Sequence, residues 1–142
     1  MRTITHIVLH CTASPQTQTV DEILAYWKRP VAQGGNGWST PGYHIMIPPN
    51  GVSRRLVPDE LPSNGVKGHN LHALHVSYIG GVDAHGNPLD NRTPAQVAEQ
   101  IRIIRRWLAQ YPDAVVLGHR DFPGVTKACP SFDARAWWAS VK

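Results

Sequence analysis

Two short apolar runs, Ile4–Leu9 and Ala114–Leu117, stand near opposite ends of the chain, and each leads into a histidine, His10 and His119. Runs this short and this rich in branched residues predict buried strands, because a typical helix needs more length. Strands of one small domain share a sheet. The pattern therefore predicts that His10 and His119, with 108 residues between them, can meet on one rim of that sheet.

Between these runs, strand and helix signals alternate. Thr19-Val20-Asp21-Glu22 has capping-box spacing, and Val20, Ile23, Leu24 and Trp27 share a helical face before Pro30, predicting a first helix of about two turns. Residues 33–42 are dense in turn formers and lead into a strand over Tyr43–Ile47, which Pro48-Pro49-Asn50-Gly51 closes into a hairpin with Val52–Val57. Alternation places Tyr43, Ile45 and Ile47 on one face and His44 and Met46 on the other. After a loop over 58–70 comes a strand over Leu74–Ile79, ended by Gly80-Gly81. Thr93-Pro94-Ala95-Gln96 combines an N-cap, a proline at the first helical position and a capping-box glutamine, and Val97, Ile101, Ile104 and Leu108 predict the core-facing stripe. Residues 133–138 predict a short closing helix over the sheet. This order predicts a single α/β domain over 1–142, a central mixed β-sheet flanked by helices on both faces.

The 142 residues, 42% hydrophobic and 17% charged, suit one globular domain and one active site. The net charge of +4 favours a polyanionic partner such as nucleic acid or an anionic cell wall, although Arg102, Arg105 and Arg106 also read as one solvated helix face. The first apolar stretch is too short for a signal-peptide core or a membrane span. Synthesis in the cytoplasm without a signal peptide, no stable membrane insertion and a monomer are the expectations. Without a secretion signal, Cys11 and Cys129 give no reason to expect a disulfide, so at least one thiol is free for other chemistry.

A catalytic zinc site takes three nitrogen or thiolate ligands and leaves a fourth position for water. His10, His119 and Cys129 can supply that set, but their spacing alone leaves open a buried cysteine and two ordinary histidines.

Three segments add to this: Ile7-Val8-Leu9-His10-Cys11-Thr12-Ala13-Ser14, Gly42-Tyr43-His44-Ile45-Met46-Ile47, and Gly118-His119-Arg120-Asp121-Phe122-Pro123-Gly124-Val125-Thr126-Lys127-Ala128-Cys129-Pro130. They resemble type-2 N-acetylmuramoyl-L-alanine amidases, the family of small phage lysozyme-type amidases and peptidoglycan recognition proteins. The resemblance runs from about residue 4 to about residue 133. It implies zinc held by His10, His119 and Cys129 in a groove at one rim of the sheet, with Tyr43 and Lys127 as catalytic residues. It also implies hydrolysis of the amide between N-acetylmuramic acid and L-alanine, with peptidoglycan or a muropeptide as substrate. Zinc would polarise the scissile carbonyl and activate water, Lys127 would stabilise the oxyanion, and the Tyr43 hydroxyl would orient water, relay a proton or assist at the oxyanion.

Other residues carry quieter expectations. Cys11 alternates with His10 and should point into packing. His6 lies about 13 Å from His10 along an extended strand, too far to share an ion. Trp27, Trp107, Trp137 and Trp138 are expected to pack, whereas Trp38 in the glycine-rich loop is a candidate for substrate contact. The chain departs from the family at two positions, with Gly65 where many relatives have histidine and His75 where glycine is common. His69, Asn70 and His75 are therefore candidate groove residues, and the preferred substrate form is left open. A phage or prophage endolysin acting on the cell wall is the leading reading. Its rivals are a cytosolic muropeptide-recycling amidase, a non-catalytic peptidoglycan-binding module and a structural zinc domain on nucleic acid. The last lacks a fourth ligand and any nucleic-acid motif, so no nucleic-acid partner is expected.

Overall fold

The computed structural model describes residues 2–141. Five strands, β1 (His6–Cys11), β2 (Ile45–Ile47), β3 (Arg54–Arg55), β4 (Ala73–Tyr78) and β5 (Val115–Gly118), form one sheet in the order β3-β2-β4-β1-β5. Every neighbouring pair is parallel except β2 and β3. Parallel strands are covered on both faces and so read as continuous apolar runs. Ile7, Val8 and Leu9 accordingly have no exposed surface.

Three helices, α1 (Val20–Lys28), α2 (Pro94–Gln110) and α3 (Ala134–Val141), cover the sheet. Ile7, Leu9, Leu74 and Val76 on one face share a core with Ile104 and Trp107 of α2 and Trp138 of α3. On the other side, Met46 and Ile79 receive Val20, Ile23 and Trp27 of α1, while Val8 and Ala73 pack with Leu117 and Phe122. The mixed sheet flanked by helices on both faces is the architecture that the strand and helix signals predict.

Both expected capping boxes form. Thr19 and Glu22 bond reciprocally at the start of α1, and Thr93 and Gln96 do so at the start of α2. The buried stripe of α2 differs from the predicted one, being Gln96, Gln100, Ile103, Ile104 and Trp107, with Val97, Ile101 and Leu108 at its margins. The reason is polar. Gln96 Nε2 donates to Ile47 O (3.0 Å) and Ile79 O (3.1 Å), clipping the ends of β2 and β4 together, and Gln100 Oε1 accepts from Arg92 Nη1 (2.9 Å). Counting apolar residues could not place two glutamines in a core stripe.

The hairpin is shorter than predicted, and alternation fails at its entrance. His44 O accepts from both Leu56 N (2.8 Å) and Val57 N (3.3 Å), two residues against one, which locally disrupts the ladder as in a bulge. Strand β2 begins only at Ile45, so strand alternation does not reach Tyr43, which packs with Trp27 and Met46 instead of sharing the face of Ile45 and Ile47.

Gln96 has no exposed surface. Gln96→Leu keeps the volume but leaves Ile79 O without its donor, removes the second donor from Ile47 O, which keeps Ile79 N, and breaks the capping box. A loss of about 2–4 kcal/mol is expected, read from urea unfolding midpoints at an unchanged slope.

Candidate metal centre and active site

Strand β1 runs between β4 and β5, parallel to both, and Leu9 pairs with Gly118. The next residues, His10 and His119, therefore emerge side by side at the strands' carboxyl ends, their ring centres 4.9 Å apart. Crevices at such ends are where open α/β sheets bind ligands. His119 begins a short 3-10 turn, fixed by Gly118 N donating to Asp121 Oδ2 (2.8 Å).

The turn draws the third residue in. Arg120 N donates to Cys129 O (2.9 Å), the Tyr78 hydroxyl donates to Pro130 O (2.7 Å), and the Ser131 hydroxyl donates to Gly81 O (2.8 Å). Cys129 Sγ accepts from Cys11 N (3.2 Å) and lies 3.8 Å from His10 Nδ1. One ligand atom each from His10, His119 and Cys129 lies within 4.8 Å of the others. Tetrahedral zinc, with Zn–N near 2.0–2.1 Å and Zn–S near 2.3 Å, holds its ligand atoms roughly 3.3–3.8 Å apart. The nitrogen–sulfur donor set fits zinc, and the His10 Nδ1–Cys129 Sγ separation of 3.8 Å lies at the edge of that range. His10 is buried and the other two are half-buried, so an ion here has protein on one side and the cleft on the other.

Burial, and then the neighbouring His75, holds His10 neutral and well below the usual imidazole range. Burial followed by Lys127 lowers His119. Neutral rings keep the lone pairs that a cation needs. Contact with the Cys11 thiol, together with burial, raises the Cys129 thiol, and both cysteines are free. Burial raises Tyr43 as well, so the phenol stays protonated and donates to Cys11 O (3.3 Å). Trp27, Trp38, Asn36, Asn64, Tyr43 and Lys127 wall a cleft that also opens onto His10, His119 and Cys129.

Comparison with known proteins places this arrangement. The N-acetylmuramoyl-L-alanine amidase family matches over residues 1–132. The chain belongs to this family. Among relatives, an endolysin of Klebsiella phage KP32 is 36% identical over 134 residues, covering 93% of this chain and 83% of that protein. Among solved structures, the Ph2119 endolysin from a Thermus scotoductus bacteriophage superposes with a TM-score of 0.76 at 23% identity, over 99% of this chain and 85% of that one. A variant of Drosophila PGRP-LB, in complex with tracheal cytotoxin, has the same TM-score at 14% identity, over 99% and 83%. These two likenesses concern the fold.

The amidase brings His10, His119, Cys129, Tyr43, Lys127 and Trp38 to one cleft. Of the three other expected groove residues, Asn70 flanks the cleft, while His75 and His69 lie elsewhere. His75 has no exposed surface, and its Nδ1 lies 2.8 Å from His10 Nε2, so it backs His10 instead of facing substrate. Asn70 lines a groove that continues from the cleft past Trp38, Asn64, His119 and Lys127, while its Oδ1 accepts from Val66 N (2.8 Å) and meets His75 Nε2 (2.9 Å). His69 is exposed and packs on Phe122, with ring centres 4.6 Å apart, away from the cleft walls. Trp27, expected only to pack, also forms a cleft wall between Trp38 (5.8 Å) and Tyr43 (5.2 Å). Its place at the end of α1 beside the glycine-rich loop was the available signal; Trp38 N donates to Trp27 O (2.7 Å). Asn36 and Asn64 had no signal beyond lying in loops.

A second buried imidazole supports this layer. His44 stacks on His75 at 5.9 Å and 12°, its Nδ1 accepts from His75 N (3.1 Å), and its Nε2 lies 2.7 Å from Leu61 O. Burial lowers its pKa to about 4. Between that value and the unfolded pKa near 6.5, the unfolded chain binds more protons, so stability must fall as pH falls. Loss of on the order of 3 kcal/mol from His44 is expected between pH 7 and pH 4, with His10 and His75 acting in the same direction. Urea titrations at stepped pH check this, and an unchanged midpoint would contradict it.

Proposed function

We propose that the amidase cleaves the bond between the lactyl group of N-acetylmuramic acid and L-alanine in bacterial peptidoglycan, holding zinc on His10, His119 and Cys129. The observation that carries this reading is one cleft joining a two-nitrogen, one-sulfur donor set to a protonated phenol and an exposed ammonium. Zinc bound there supplies Lewis acidity towards the scissile carbonyl and water.

The chain's own groups would do the rest. Tyr43, packed against the His10 ring at 4.9 Å and anchored on Cys11 O, presents a neutral hydroxyl that can orient water or donate to developing negative charge. Lys127 brings a cation to the same cleft and opposes charge on the tetrahedral oxygen. Trp27 and Trp38 offer apolar faces for the sugar–peptide junction.

An endolysin released against the wall is the setting we favour, because an endolysin 36% identical to this chain is covered over 83% of its length. Among the described residues no helix is long and apolar enough to cross a membrane, and none is needed for a wall hydrolase.

The test is release of free amino-terminal L-alanine from purified peptidoglycan by untreated, chelator-stripped and zinc-restored protein. Stripping is expected to abolish release and zinc to restore it, while Cys129→Ala loses both zinc and activity. Tyr43→Phe and Lys127→Ala are each expected to lower kcat by about 10²–10³ with zinc content unchanged. Stable wall binding without cleavage of any wall type, despite bound zinc, would point to a recognition module.

A further inference from the structure

His75 lies beside the site, buried, and none of the steps above uses it. It stands on the face of β4 that carries Ala73 and Ser77, with Val8 as its partner and His10 pairing two residues further on with Ser77. Its ring reaches His10, centres 5.0 Å apart. The bonds around it fix every proton. Val66 N–H can only donate, so the Asn70 atom 2.8 Å away is the amide oxygen. That oxygen can only accept, so the hydrogen of the 2.9 Å contact sits on His75 Nε2. A neutral His75 then has a bare Nδ1, which must accept from His10 Nε2–H across 2.8 Å. His10 is left with its lone pair on Nδ1, the atom 3.8 Å from Cys129 Sγ.

We propose that His75, held by Asn70, is a positioning residue that locks His10 in the Nε2–H tautomer with Nδ1 turned to the cation, and that Gly65 exists to make room for it. The proposal rests on His10 being a metal ligand. A Cβ on Gly65 would overlap the His75 ring at Nδ1, Cε1 and Cγ. Gly65 has no positive φ, so its lack of a side chain answers to this ring and not to backbone conformation. Glycine at 65 and histidine at 75 are thus coupled: the imidazole from the strand fills space that the loop leaves open. Partners that orient a ligating histidine typically set metal affinity by about 10–100-fold.

Zinc affinity, measured by competition with a chromogenic chelator on variants whose folding is checked by circular dichroism, tests this. His75→Leu, which removes both nitrogens, and Gly65→Ala, which displaces the ring from outside, are each expected to weaken zinc by about 10–100-fold. His75→Asn, whose amide oxygen can replace Nδ1 as acceptor, is expected to stay within a few-fold of wild type. Long-range ¹H–¹⁵N NMR of the wild type, before and after zinc, needs no variant to fold. It should show His10 and His75 both carrying hydrogen on Nε2, with zinc perturbing His10 Nδ1. A hydrogen on His10 Nδ1, or wild-type zinc affinity in folded His75→Leu and Gly65→Ala, overturns the role of His75 alone. A wild type that binds no zinc overturns the metal centre and this proposal with it.

Discussion

The parallel pairing of β1 between β4 and β5 is the constraint on which everything else depends. A strand buried on both faces cannot slip: moving β1 by one residue would turn His10 into the core beneath α2 and α3 and bring Leu9 into the polar layer. Ile7 and Leu9 on one side and Val8 on the other, all without exposed surface, hold that register. The Leu9–Gly118 pair then makes neighbours of two histidines from opposite ends of the chain. The catalytic layer follows from the packing of residues that take no part in chemistry.

Much of this could be read from residues alone, and the exceptions share a cause. Apolar runs and capping boxes report local energetics, so β1, β4, β5 and the starts of α1 and α2 were legible. The stripe of α2 was misplaced because Gln96 and Gln100 earn burial through hydrogen bonds to distant carbonyls and to Arg92, which no periodicity records. Tyr43 was given the wrong face because β2 begins only at Ile45, two residues later than the apolar pattern suggested. The proposed ligand triad needed the family resemblance, since spacing over 108 residues carries no geometry. His75 was noticed as a departure, but only the structure shows its ring in the space that Gly65 leaves open.

The sheet's two faces do different work. Towards α2 and α3 the sheet meets a large apolar cluster, interrupted by the buried Gln96 and Gln100, and its burial is strongly stabilising. Beneath the cleft the protein instead buries His10, His44 and His75 and satisfies their nitrogens with one another, Asn70 and Leu61 O. A buried polar network of this kind is costly when any partner is missing, and for the same reason admits few alternative arrangements. Stability is concentrated on one side of the sheet, and geometric specificity on the other.

The segment bearing Cys129 is secured on both flanks, at its own carbonyl by Arg120, at Pro130 by Tyr78 and at Ser131 by Gly81. None of these bonds runs through an ion. Where a zinc finger owes its fold to the metal, the flanks of Cys129 are held by bonds between protein groups alone. On the proposed metal centre, ion exchange would not have to pass through unfolding of this segment, so occupancy would follow the zinc supply of the surroundings while the sheet and its helices persist.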